Sequence, residues 1–177
     1  MAYKAITMKK KLLIATFFSL FAITAIQAQR SNSFNSSDYT TALGVKFFPG
    51  HGGAAISLKH FAREGRAVEA LGHFHHNGGR LTGLYEWHWD INGAPGLKWY
   101  VGPGAHLAFY NDNHGDNHDN GDSYMAFGID GVIGLDYKFG NIPLNLSADW
   151  QPTVDLGGGY YSGFAGDYGG ITVRYTF

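Results

Sequence analysis

Between Arg80 and Asp90 the side chains alternate without a break. Leu81, Gly83, Tyr85, Trp87 and Trp89 fall on one face, and Arg80, Thr82, Leu84, Glu86, His88 and Asp90 on the other. Successive side chains of a strand point to opposite faces, so a period of two held over about ten residues marks a strand with one apolar and one mixed face. The pattern recurs with Ile129, Gly131, Ile133, Leu135, Tyr137 and Phe139 opposed to Asp130, Val132, Gly134, Asp136 and Lys138. It recurs again with Leu144, Leu146, Ala148 and Trp150 opposed to Asn145, Ser147, Asp149 and Gln151. From Tyr39 onward, clusters of Gly, Asn, Asp and Pro divide the chain into eight such segments, over 39–48, 54–61, 67–76, 80–90, 97–110, 123–139, 142–153 and 168–177. The expected fold is all-β, an eight-stranded antiparallel up-and-down barrel.

Alternation alone does not say which face points outward, because a water-soluble barrel with an apolar interior has the same period. Here the mixed face is not a solvent face. It carries Leu84, Gly102, Gly104, Ala108, Gly128 and Gly134 among isolated charges, a composition that suits a narrow lumen packed with side chains. The apolar face gathers rings near the segment ends: Phe47, Tyr85, Trp87, Trp89, Trp99, Phe109, Tyr137, Phe139, Trp150, Tyr175 and Phe177. Rings at both ends of a barrel in lipid make interfacial girdles. The reading is a transmembrane β-barrel.

The first 28 residues are expected to be a cleavable signal peptide, with Lys4, Lys9, Lys10 and Lys11 before an uncharged run from Leu12 to Ile26 and then Gln27-Ala28. That run is fifteen residues long, short of the roughly 20 that cross a bilayer as a helix. Residues 29–38 read as a flexible polar lead-in and 39–177 as the barrel. Removing 1–28 takes away those four lysines and no acid, so 9 of the 13 basic residues remain against 14 acids, a formal charge of −5. A nucleic-acid partner is disfavoured, since its footprint is a basic patch. With no cysteine, a disulfide framework is excluded.

Connections at 62–66, 91–96 and 140–141 are short, whereas 111–122 and 154–167 are long. Short periplasmic turns and longer surface loops are the usual asymmetry of outer-membrane barrels, and place both termini in the periplasm. Asn77-Gly78 is a hairpin signal for one of the tighter surface turns.

At the end of the chain Ile171, Val173, Tyr175 and Phe177 alternate with Thr172, Arg174 and Thr176. This ending resembles the C-terminal signal that the barrel-assembly machinery reads in bacterial outer-membrane barrels. With it, residues 39–177 resemble in architecture the small eight-stranded barrels typified by the OmpA membrane domain, OmpX and OmpW. Ala28-Gln29 and the final Tyr-Thr-Phe are similar to barrels of Bacteroidetes-type bacteria. The resemblance implies the outer membrane of a Gram-negative bacterium, contact with its lipids and a monomer, but no activity, since fold alone does not fix function.

The inward face is expected to hold an ionic network of Lys46, Lys59, Glu69, Arg80, Glu86, His88, Lys98, Asp130, Asp136, Asp149 and Arg174, with His73, His75 and His106 on the same face. A tight turn near 62–66 sets Lys59 opposite Glu69, an opposite-charge pair, and the next hairpin brings Glu86 close, where a cation must bridge the two acids. Buried charge is costly unless paired, so the network should plug the lumen. A proton or ion path is the alternative.

Residues 111–122 are dense in Asp, Asn and His. From Asp116 they partly mimic a calcium loop, but the third place is His118 and the twelfth is Phe127, so the match fails. His73 and His75 share a face but lack a third zinc ligand. Ser57, Ser123, Ser147 and Ser162 have no adjacent His pattern of a hydrolase. No catalytic residue, cofactor or metal site is therefore assigned, and the expected role is structural or surface-interacting. A lipid-modifying enzyme, a small-solute pore and a metal-binding loop protein are the alternatives.

Overall fold

The computed structural model describes residues 39–50, 52–75, 78–111, 123–157 and 163–177. The signal peptide and lead-in, the Asn77 turn and most of 111–122 lie outside them. Ten strands follow in order: β1 (Thr41–Phe47), β2 (Ala54–Arg63), β3 (Arg66–His75), β4 (Gly78–Asp90), β5 (Leu97–Asn111), β6 (Ser123–Lys138), β7 (Leu144–Trp150), β8 (Thr153–Gly157), β9 (Gly163–Ala165) and β10 (Gly169–Thr176). β7 and β8 both pair with β6, as two halves of one stave interrupted at Gln151-Pro152, and β9 and β10 divide the last stave in the same way. The staves number eight. Each pairs antiparallel with the next, and β10 pairs back onto β1 from Ala42↔Thr176 to Phe47↔Ile171, closing the sheet into a barrel.

Within the stretch 154–167, read from sequence as a loop, residues 154–157 and 163–165 are strand. Pro152 looks like loop punctuation, yet the ladder runs through it as far as Gly157: Gly131 N donates to Pro152 O at 2.9 Å, then Thr153 pairs with Asp130 and Val154 with Ile129. Proline lacks only a donor, and its carbonyl serves the neighbouring strand. A bulge follows, with Phe127 facing Gly157 and Gly128 facing Asp155.

One end of the barrel is closed by tight turns. Glu64-Gly65 joins β2 to β3 with Gly65 at φ 66°, and residues 91–96 join β4 to β5 with Gly93 and Gly96 both at φ 82°, a left-handed conformation that suits glycine. The longest pairing is β5 with β6, in register from Leu97↔Tyr137 to Asn111↔Ser123.

Polarity is inverted relative to a water-soluble domain. Outward positions carry exposed Val45, Ile56, Leu81, Trp87, Trp99, Ile129, Ile133, Leu146, Ile171 and Val173. Trp89 and Trp99 stack on the outer wall 4.4 Å apart. The most deeply buried large side chains include Arg174, Lys46, Lys59, Gln151, Glu69, Glu86 and Asn145. Phe48, Ala55, Leu71, Leu84, Tyr100 and Val132 form a buried apolar cluster among these ions.

Candidate functional site

The lumen holds two ionic clusters joined by Tyr100. In the half nearer the tight turns, Arg174 projects from β10 and donates to side chains on β2, β3 and β7. Nε donates to Ser57 Oγ at 2.7 Å, Nη1 to Asn145 Oδ1 at 3.0 Å and Ser147 Oγ at 2.8 Å, and Nη2 to Glu69 Oε1 at 2.5 Å. Lys59 sits directly across from Glu69 in the β2–β3 register. Its ammonium lies 3.2 Å from Glu69 Oε2, 2.8 Å from Glu86 Oε2 and 3.6 Å from Asp136 Oδ2. Lys59 thus bridges the two glutamates that the hairpins bring together. His88 Nε2 lies 2.8 Å from Glu86, and Tyr39 donates to Asp136 at 3.1 Å. With these charges buried, paired geometry offsets desolvation where a lone ion would be excluded.

In the other half Lys46 lies 2.7 Å from Asp149 and donates to Gln151 at 3.0 Å. Gln151 donates to Asp130 at 3.3 Å. Arg80 Nη2 reaches Asp130 Oδ1 at 2.6 Å and Thr153 Oγ1 at 3.0 Å, and its guanidinium lies 4.1 Å from the centre of the Tyr168 ring. His106 stands between Asp130, 2.9 Å from Nδ1, and Asp155, 2.7 Å from Nε2. Between the halves, the Tyr100 hydroxyl donates to Asp149 at 2.9 Å, while its ring stacks on His88 at 4.8 Å and lies 4.3 Å from the Lys59 ammonium.

Two rows across β5, β6 and the seventh stave share one construction. Tyr100 pairs with Gly134, which pairs with Asp149; His106 pairs with Gly128, which pairs with Asp155. In each row the central glycine clears a gap through which a ring on β5 reaches a carboxylate two strands away. A Cβ on Gly134 would stand 2.7 Å from Tyr100 Cζ, and one on Gly128 would collide with the His106 ring.

Lys46, Lys59, Glu69, Arg80, Glu86, His88, Asp130, Asp136 and Arg174 are all buried inside the barrel, and the Asp149 side chain is 1% exposed. Lys98 differs: its side chain is 16% exposed and lies 3.4 Å from Asp90, which is 80% exposed, at the tight-turn rim. Ile171, Val173 and Tyr175 point outward and are exposed, with Phe177 half-buried after them. His73 is buried against Phe48, at 5.4 Å between rings, and helps line a small pocket with Leu71, Arg80, Thr82, Gln151 and Tyr168. Ser57 donates to Glu69 and accepts from Arg174, and Ser147 accepts from Arg174. Both serve the ion network. Among the described residues no group of three or more His, Asp or Glu has a metal-holding arrangement.

Sequence reading left Tyr39, Tyr100, Asn145, Gln151 and Asp155 out of the network. The parity of Lys98, Tyr100 and Gly102 puts Tyr100 inward, but nothing in that parity shows which carboxylate its hydroxyl meets.

Fold and lumen together define a small closed β-barrel that is apolar outside and ionic within. Its eight-stranded, antiparallel, OmpA-like architecture is that of the crystal structure of the N-terminal β-barrel domain of Pseudomonas aeruginosa OprF, to which it is similar with a TM-score of 0.55 and 18% identity, over 77% of this chain and 94% of that one. No protein-family model and no curated protein matches the sequence.

Proposed function

We propose that this chain is an integral outer-membrane barrel of a Gram-negative bacterium, with a structural or surface-interaction role, a lumen plugged by its own side chains, and no catalysis. The observation that carries this reading is the inverted polarity: Arg174, Lys59, Glu69 and Glu86 fully buried, and Ile56, Ile129, Ile133 and Trp150 about half exposed or more. Water would drive such an outer wall into aggregates, whereas hydrocarbon solvates it, and a closed sheet leaves no backbone edge unpaired in lipid.

Ion pairs and hydrogen bonds fill the space between the staves, as eight strands leave an interior only wide enough for side chains. The tight-turn end then faces the periplasm and the long-loop end faces outward. Outer-membrane lipids are the partners along the wall, and the alternating face of β10 with Phe177 is a recognition element for assembly machinery. Of the four candidate serines, Ser57 and Ser147 are engaged by Arg174 and Glu69, which supports a structural use of these two, and the side chains of Ser123 and Ser162 lie outside the described residues.

The test is a heat-modifiability gel on outer-membrane fractions, with planar-bilayer recordings on the refolded protein. A band that migrates faster unboiled than boiled, and no steady large conductance, are expected. A signal-free polypeptide that folds as a monomer in detergent-free buffer would overturn the membrane reading, and a stable open pore would overturn the plugged lumen.

A further inference from the structure

The β2–β3 hairpin sets two like charges against each other at the rim of the outer wall. Up to Phe61↔Ala67 the register is regular, and continuing it would pair Ala62 with Arg66 and send Arg63 to the inner face. A bulge at Ala62 instead pairs Arg63 with Arg66. Arg66 shares its face with the exposed Val68 and Phe74, so the extra residue turns Arg63 outward beside it. Like charges directly opposite one another destabilise a strand pair. Among the described residues neither guanidinium has a hydrogen bond or ion pair, and Glu64, in the turn between them, is ion-paired with neither.

The neighbouring strands fix the level of this pair on the wall. Arg66 pairs with Trp87, and Trp87 with Val101. Trp89 and Trp99, stacked 4.4 Å apart, come one outward position nearer the tight turns. Tyr85, in edge contact with Trp87 at 5.1 Å, lies one outward position the other way. Rings of this kind sit at headgroup level in a barrel wall. An arginine stem lies along such apolar surface while its head reaches the polar layer. The lysines of the same rim are already engaged: Lys98 lies 3.4 Å from Asp90, and Lys138 donates to the carbonyls of Phe139 and Ile142. Arg63 and Arg66 are the cations that this end leaves to be answered from outside.

We propose that Arg63 and Arg66, flanked by Trp87, bind the phosphate of an anionic phospholipid in the leaflet at the tight-turn end, a site that rests on the membrane reading above. A phosphodiester between the two guanidiniums replaces their repulsion with two charge-assisted pairs, each fork offering parallel N–H donors to phosphate oxygens. An anionic headgroup is favoured because a zwitterionic one brings its own ammonium toward the arginines. The acyl chains then lie along the exposed side chains of Val68, Leu81 and Tyr85.

The experiment uses the full folded chain in nanodiscs of phosphatidylcholine, doped with phosphatidylglycerol or with phosphatidylethanolamine. Guanidinium Nε–H spectra, assigned by Arg63→Gln and Arg66→Gln, report each fork, and the Gly65 amide reports the turn. Phosphatidylglycerol should shift all three signals saturably and about tenfold more tightly than phosphatidylethanolamine, the order that two basic side chains contribute at an anionic surface. Added salt should weaken the preference. Arg63→Lys keeps the charge without the fork and should retain only part of it. Arg63→Gln combined with Arg66→Gln should abolish the Gly65 response in a chain that still folds, since neither side chain has a protein bond to lose. Equal shifts with both lipids, or no shift in a chain that has inserted, would overturn the site and leave the barrel standing. Inorganic phosphate matching the lipid in detergent micelles would assign the site to a free anion and overturn the lipid. A chain that does not insert would overturn the site together with the membrane reading.

Discussion

Arg174 is bonded through all three of its guanidinium nitrogens, to Ser57, Asn145, Ser147 and Glu69, which lie on three other strands. Truncating it leaves Glu69 with Lys59 as its cation, and Lys59 is already shared with Glu86. Three carboxylates, Glu69, Glu86 and Asp136, would then lean on one ammonium. Removing one partner of a buried pair costs about 3–5 kcal/mol because the other charge stays buried. Arg174→Ala should destabilise by that amount in denaturant unfolding from lipid vesicles. Arg174→Ala with Glu69→Ala should cost less than the two single changes added together, since the second removes the stranded acid. Additive losses would mean that the pair does not act as a unit. The residues of this network were legible in the sequence because parity alone assigns a side chain to the inside of a barrel. Which acid meets which base was not, because that depends on register: parity puts Tyr100 inward, but only the pairing of β5, β6 and β7 shows that its hydroxyl meets Asp149.

At the scale of the strand, β6 shows how the barrel accommodates rings inside a narrow bore. Gly134 and Gly128 sit on its inward face, six residues apart, opposite Tyr100 and His106 on β5 and Asp149 and Asp155 on the seventh stave. A methyl on Gly134 would stand 2.7 Å from the Tyr100 ring, the Asp149 Cβ and the Ala148 carbonyl, of which the last is backbone and cannot give way. Overpacking of this kind costs about 1–3 kcal/mol. Gly83 on β4 faces outward, and a methyl there would meet nothing within 4 Å. Gly134→Ala should therefore lower unfolding stability by about 1–3 kcal/mol, while Gly83→Ala leaves it unchanged or slightly raised, read from the same vesicle unfolding curves. Equal effects at the two sites would refute the clearance role. Period-two alternation revealed the strands, and the same signal failed at β8 and β9: Pro152 and Gly157 are turn formers in isolation, and a neighbouring strand able to use the Pro152 carbonyl carries 153–157 into the sheet.

For the whole molecule the decisive quantity is which solvent the outer wall meets. Ile133 lies midway along the apolar face of β6, pairs with Val101 and Trp150 on either side, and is 48% exposed. In water an arginine at such a position is at worst neutral, since it replaces an exposed apolar side chain on a sheet whose ladder is untouched. In lipid the same side chain must enter hydrocarbon, at a cost of about 2–4 kcal/mol near the bilayer midplane, falling toward zero at the interfaces. Ile133→Arg should accordingly destabilise the vesicle-embedded barrel by about 2–4 kcal/mol, and the loss should shrink for an arginine placed at Tyr137, nearer the tight-turn end. A uniform small effect at both depths would mean the wall does not face hydrocarbon. Burying Arg174 costs nothing comparable because four acceptors await it inside. The barrel tolerates ions only where it has arranged their partners, and the wall has none.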